Sequence, residues 1–542
     1  MKKRTVAIFG VLAVALSGCA AGNTDGATPD LSTDALAITT PAGGELDLAT
    51  WNLPFGEPAS IDPIKAYNYA ENTVVANLCE GLMQVQPDYS IEPNLAESVE
   101  SPDASTWIYT IRQGVEFWDG ETMTADDVVY SLSRQLDPNE GSYWAGSVVG
   151  NIASIEKTGD WEVTVSLTEP DTTFNSYVAT PIGNVVQEAH RLAAGDNYGT
   201  PSGGVMCTGP YSVGAWNQGQ SISLERNDNY WNTDKIAKTK QVDISFIVDS
   251  AAITNALSTG AIDGSYDVPL GSISALQSAT DGSLILGRSL QIIAIIGTGN
   301  GAFADPAVRK ALMLATDRDA IAATVFEGTA EASASLVPNN SWSYGDDIYA
   351  DGRADLGLTT VDIEAAKEAL KDATTDLSQP ISIVYPSERT YYADIISEIS
   401  NGATAIGLTV VPEGVPSAQF GAFFSDPEAR AGHDAFVTAN YMDVPDPLSF
   451  LRVILSSEGG QNYNAYNNAE MDALLADAAA TSDDDDRATV VNEIQTMAMD
   501  ELPWIPIVDP SVRLFLNDRV TGVPASFVYL YYPWAADLGA AE

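Results

Sequence analysis

Residues 81–132, GLMQVQPDYSIEPNLAESVESPDASTWIYTIRQGVEFWDGETMTADDVVYSL, hold the densest structural signals in the chain. Leu82–Val85 reads as a short strand ended by a turn at Pro87-Asp88, and a second apolar–acidic segment follows at Asn94–Val99. Thr106–Ile111 (TWIYTI) alternates in the way a half-buried strand must, because successive side chains point to opposite faces. Trp118-Asp119-Gly120 makes a tight polar turn. Thr124, with Asp127 three residues on, predicts a helix start; the helix is expected over Ala125–Leu132 with Val128, Val129 and Leu132 inward.

Taken in order, EGL (Glu80–Leu82), P-x-LAES (Pro93–Ser98), the run W-x-Y-x-I-R-x-G-V-x-F-W-D-G-E-x-M-T-A-D-D-V from Trp107 and Tyr130-Ser131 resemble the family 5 solute-binding proteins of ABC importers. That family includes oligopeptide-, dipeptide- and nickel-binding proteins. Further matches are Thr208-Gly209-Pro210-Tyr211, the Arg226-Asn227 and Tyr230-Trp231 pairs, Gly260-Ala261-Ile262-Asp263, and Asp305-Pro306 with Arg309 and Asp317-Arg318. The resemblance runs over roughly everything from Glu45 on. It implies an α/β, two-lobed periplasmic-binding-protein-like fold (type II, cluster C) with an extra small lobe inserted in the first. The expected division is a first lobe from 45–81, 184–289 and 503–542, the inserted lobe 82–183, and a further lobe 290–502. Trp107, Trp118 and Tyr130 are read as structural members of the inserted lobe.

The composition is that of a globular chain with ample core. A length of 542 residues exceeds what one core usually supports, and 45% apolar residues suffice for several. With 25 basic against 74 acidic residues the net charge is −49, which repels nucleic acid and anionic lipid. The run Asp483–Asp486 is read as a solvated helix start, since four consecutive carboxylates cannot all face one cation.

The first residues read as an export signal (1–18): Lys2, Lys3 and Arg4, then apolar Val6–Leu16, then Leu16-Ser17-Gly18-Cys19. The LSGC ending resembles a lipobox, which implies diacylation of Cys19 and attachment to the outer face of the cytoplasmic membrane, with 19–44 as a flexible tether. In such an oxidising compartment Cys79 and Cys207, which the family places in one lobe, are expected to pair.

The site residues follow from the resemblance. Peptide binders of the family hold the ligand α-ammonium on an Asp in a D-x-x-(D/E)-P segment, and Asp443-Val444-Pro445-Asp446-Pro447 fits that spacing. Asp443 is therefore the leading ligand carboxylate, weighed against a loop-capping role. Where peptide binders often carry Trp and a carboxylate-binding Arg, this chain has Asn440 and Thr438, beside Tyr441. Arg389 is the candidate to bind the ligand's other end, with a surface pair to Glu388 or Asp394 as the alternative. Tyr67-Asn68-Tyr69 is expected to be an extended segment pairing with the ligand backbone, both rings on one side.

Catalysis is not expected, and no cofactor or metal is implied. Ser154-Ile155-Glu156-Lys157 and Lys157-Thr158-Gly159 share one lysine, whereas a β-lactamase mechanism needs those motifs on separate elements. Gly297-Thr298-Gly299-Asn300-Gly301 does not open a helix, and His190 and His433 have no metal-ligand spacing. The function implied is a monomeric, lipid-anchored receptor that delivers a short peptide to an ABC permease and its ATPases. An oligosaccharide or metal chelate in the same fold, or an extracellular receptor without transport, are the alternatives.

Overall fold

Ala49–Asn52, the strand core of the expected Glu45–Asn52 segment, is the centre of a seven-stranded sheet. The computed structural model describes residues 37–146, 148–339, 341–356 and 361–541. The export signal, Cys19 and most of the tether lie outside the described residues. Ala49–Asn52 pairs in parallel with both Gln241–Ser245 and Gly264–Ser265. Antiparallel strands extend the sheet to Tyr211–Asn217 on one side and Gly282–Gly287 on the other. Trp51 is buried beneath Trp534, ring centroids 4.5 Å apart, so the C-terminal segment seals this sheet.

The insert forms a four-stranded antiparallel meander, Ala96–Asp103, Thr106–Ile111, Glu162–Leu167 and Ile152–Gly159. Thr106–Ile111 starts and ends where its alternation predicts. The helix Ala125–Arg134 begins with the Asp127 carboxylate accepting from the Thr124 N–H (3.0 Å) and hydroxyl (2.9 Å). Val128 and Leu132 are buried, while Val129 is only half-buried. Trp118 donates to the Gly209 carbonyl (3.1 Å), tying insert to first sheet; Trp107 and Tyr130 pack at the core's margin.

The third sheet has six strands in the order Ala330–Ala332, Trp504–Pro510, Gln291–Gly297, Ala435–Tyr441, Ile381–Pro386, Val410–Val415. Two of its interior strands, QIIAIIG and WIPIVDP, are buried at every position. Such continuous apolar runs are what a strand shielded on both faces requires. Ile381–Pro386, the helix Tyr391–Ala405 and Val410–Val415 form the expected β-α-β unit with parallel strands. Asp483 caps the helix Asp484–Glu501 by accepting from the Asp485 and Asp486 N–H groups (3.1 Å each). No described helix is long and apolar enough to cross a membrane.

The chain crosses between the seven- and six-stranded sheets twice. The outward crossing follows Gly287, where a side chain is impossible: a Cβ there would lie 1.6 Å from the Ala525 carbonyl oxygen. The return comes later than the expected boundary at 503. Trp504–Pro510 pairs with Gln291–Gly297 and Ala330–Ala332, so the chain re-enters the first sheet only at Val512. An apolar run reads as a strand in sequence, but its partner is set by pairing far away in the chain.

Candidate functional site

Two motif nodes hold the frame. Glu80, buried, accepts from the Tyr230 hydroxyl (2.6 Å), Thr208 hydroxyl (2.7 Å), Trp231 Nε1 (2.9 Å) and Asn94 Nδ2 (3.5 Å). Burial pushes its carboxyl up and those four donors oppose the shift. Four motifs that stand far apart in sequence thus converge on one carboxylate. Cys79, the preceding residue, is bonded to Cys207 with Cα atoms 5.0 Å apart. The second node joins Asp62 to both guanidinium nitrogens of Arg134 (3.1 and 2.7 Å), which also pairs with Glu140 (3.0 Å).

A cleft of about 1050 Å³ opens beside the crossings. The first-lobe side contributes Phe55, Asn68, Tyr69 and the Asp267–Gly271 turn; the six-stranded sheet contributes Gln291, Ile293 and Ala439. Arg389 and Tyr391, at the start of the helix Tyr391–Ala405, line it as well.

Arg389 is exposed to this space and forms no ion pair among the described residues. Glu388 turns away and accepts from the Ser417 N–H (2.9 Å) and hydroxyl (2.7 Å), so the alternative surface pair is not made. A guanidinium left open in a cleft is suited to a ligand carboxylate.

Tyr67-Asn68-Tyr69 is not an extended strand. The Asn68 side chain accepts from the Tyr69 N–H (2.9 Å) and caps the helix Tyr69–Val75, which turns the chain after a single extended residue. The two rings therefore diverge. Tyr67 stacks on Tyr143 (4.2 Å) outside the cleft, and Tyr69 stacks on Phe55 (4.4 Å) within it. The Tyr67 carbonyl is occupied by the Tyr441 hydroxyl (3.0 Å).

Asp443 and Arg389 do not share one space. Tyr441 stands edge-on to Tyr69 (5.4 Å) and against Phe527 (5.3 Å), and this aromatic wall divides the cleft from Asp443. Asp443 lines a separate crevice with Val85, Thr180, Leu290, Pro445 and Tyr531 that is too small to admit a water molecule. Capping is performed by Asp446, whose carboxylate accepts from the Leu448 N–H (2.9 Å) and the Tyr344 hydroxyl (3.0 Å). Asp443 accepts only from the Tyr531 hydroxyl (3.2 Å), and no cation pairs with it among the described residues. Burial raises its carboxyl from 3.8 to about 6, with the Tyr531 bond opposing. Asn440 is directed to Gln461 (2.7 Å) and to its neighbour's N–H (2.9 Å), so its amide is already engaged.

One cleft residue had no sequence signal. Asp267 is buried at the cleft wall in the left-handed region (φ 46°), a conformation Asp tolerates better than most side chains. Its Oδ2 accepts from the Tyr529 hydroxyl (2.6 Å), and its Oδ1 has no hydrogen-bond partner.

The comparisons with known proteins agree with this frame. Residues 90–462 match the family described as "Bacterial extracellular solute-binding proteins, family 5 Middle". The oligopeptide-binding protein OppA of Bacillus subtilis (strain 168) is 25% identical over 549 residues, 94% of each chain. Heme-binding protein A of Haemophilus influenzae is 27% identical over 511 residues, 89% of this chain and 90% of that one. The fold matches the ABC transporter-associated periplasmic binding protein DppA from Helicobacter pylori in complex with peptide STSA, with a TM-score of 0.76 and 22% identity over 92% of this chain and 99% of that one. The chain belongs to the bacterial extracellular solute-binding proteins of family 5.

Proposed function

We propose that this protein captures short peptides between its two large sheets and delivers them to an ABC permease, held at the membrane by diacylated Cys19. The observation that carries the peptide reading is the pair of uncompensated charges on either side of the aromatic wall. Arg389 is an open guanidinium in the cleft, and Asp443 is a carboxylate without a cation behind Tyr441. A zwitterion satisfies both; a neutral oligosaccharide satisfies neither and leaves the half-buried Asp443 carboxylate without a cation. The peptides named with the Bacillus and Helicobacter relatives support the same class of solute.

Binding would act as a population shift. Where the two sheets approach, Tyr441 bonds Tyr67 and Arg452 of the helix Pro447–Leu455 pairs with Asp171 of the insert (2.7 Å). A peptide reaching from the cleft to Asp443 must displace the Tyr441–Tyr67 contact as the lobes part, then refill the space as they close. The crossings after Gly287 and Pro510 are the natural hinge. The protein works as a monomer in this reading, with the lobes moving about those two crossings.

Thermal-shift titration with tri- to pentapeptides and with oligosaccharides tests the reading. Peptides at a hundredfold excess over their dissociation constant are expected to add about 2.7 kcal/mol, and sugars nothing. Stabilisation by sugars alone refutes it.

A further inference from the structure

Asp267 stands out among the groups that the peptide reading does not use. It lies on the wall of the cleft that Arg389 also lines and is 7% exposed. Only one carboxylate oxygen is satisfied, by Tyr529 at 2.6 Å, and Oδ1 is buried with no partner. Burial pushes the Asp267 carboxyl up and the charge and backbone N–H of Arg513 oppose that push, but the guanidinium itself donates through Nε to the Val268 carbonyl (2.9 Å) and through Nη1 to the Ser511 carbonyl (3.3 Å) and makes no ion pair with Asp267. An unmet buried carboxylate oxygen costs roughly 1–3 kcal/mol, a cost that structures seldom retain without a use.

A purely structural role, holding Tyr529 stacked on Tyr266 (4.1 Å), needs only the one bond to Oδ2. Serine or asparagine would supply an acceptor without burying a charge. The left-handed backbone at Asp267 adds a further cost for a residue other than glycine. Both costs are explained if the carboxylate serves the ligand.

We propose that Asp267, oriented by Tyr529, is the subsite for a basic side chain, so that the protein selects peptides carrying lysine or arginine. The proposal rests on the peptide reading above and narrows it to cationic peptides. The ligand's ammonium or guanidinium would enter from the cleft, displace the local packing over Oδ1 and form a charge-assisted hydrogen bond there. Four further carboxylates, Glu327, Glu388, Asp394 and Glu398, line the same space beside Arg389 and Arg513 and leave it a net negative field that favours cations.

The test uses the full mature chain and alanine tri- to pentapeptides with lysine, or its uncharged analogue norleucine, placed at each position in turn. Isothermal titration is expected to give at least tenfold tighter binding for one lysine peptide than for its norleucine partner. Asp267→Asn keeps the shape and the left-handed backbone, and should abolish that difference. Tyr529→Phe should reduce it partway. A lysine preference that survives Asp267→Asn, or equal binding of all pairs by the wild type, overturns the proposal and leaves the peptide reading intact. Binding of no peptide overturns both. Circular dichroism on each variant checks folding, and a variant that loses stability without changing the lysine–norleucine ratio assigns Asp267 a structural role and refutes the proposal.

Discussion

Asp443→Asn is the substitution for which the structure makes opposite forecasts with and without ligand. In the ligand-free protein the carboxyl is raised from 3.8 to about 6 by burial. A group raised in the folded state contributes stability that is present below its unfolded value and lost as pH climbs through the folded one. Ionisation of Asp443 therefore destabilises the empty protein as pH rises from about 4 to about 6. The full shift corresponds to about 3 kcal/mol, and partial access to solvent lowers it to about 1–3 kcal/mol. Asparagine retains an acceptor for Tyr531 and never ionises. At pH 7.5 the empty variant should be more stable by that amount, which for a 542-residue chain is about 1–3 °C in Tm. At pH 4 the two proteins should melt together. With a peptide present the order reverses: losing the charge that meets the α-ammonium should weaken binding about a hundredfold, or about 3 kcal/mol. Wild-type affinity should also fall below pH 6, by up to tenfold per unit, as the carboxylate takes up a proton. Thermal melts at both pH values and titration calorimetry read all four quantities. An asparagine variant that is less stable when empty and binds peptide as tightly as the wild type would refute the reasoning and make Asp443 a structural residue.

Arg389→Gln should weaken peptides with a free C-terminus by at least tenfold and C-terminally amidated peptides hardly at all, because the exposed guanidinium has no other ion pair to lose; equal losses for both peptide types in calorimetry would contradict its role. Replacing Cys79 and Cys207 together by serine opens a loop with a separation of 128 residues and should cost about 2–4 kcal/mol, seen as a lower midpoint in denaturant with binding unchanged. Glu80→Ala leaves the Tyr230, Trp231 and Thr208 donors buried without their acceptor and should cost about 3–5 kcal/mol; Glu80→Gln, which keeps an acceptor, should cost markedly less in the same melts.

Local patterns made much of the fold legible. The alternation of Thr106–Ile111 and the Thr124–Asp127 helix start both depend on residues a few positions apart. Sheet membership does not. Trp504–Pro510 reads as a strand, yet nothing local shows that it pairs with Gln291–Gly297 before the chain returns to the first sheet. The same limit applies to the Glu80 node, three of whose four partners were visible as motif residues while their common target was not.

At the site, Arg389, Asn68 and Tyr69 line the cleft, and Asp443 lines a separate crevice. The alternation assumed for Tyr67 and Tyr69 failed because Asn68 is a helix cap, a signal present in the sequence as Asn before an Ala- and Glu-containing helix. Asp267 was missed for a different reason. It follows a short strand and belongs to none of the motifs, and only the fold brings Tyr529, over two hundred and sixty positions later, onto its carboxylate.

The central claim is that the cleft holds a peptide. It is tested most directly by purifying the protein from its own cells without denaturant, unfolding it, and identifying what it releases by mass spectrometry. Release of short peptides, enriched in lysine and arginine, is the predicted result. Release of an oligosaccharide, haem or a metal chelate in stoichiometric amount would contradict it.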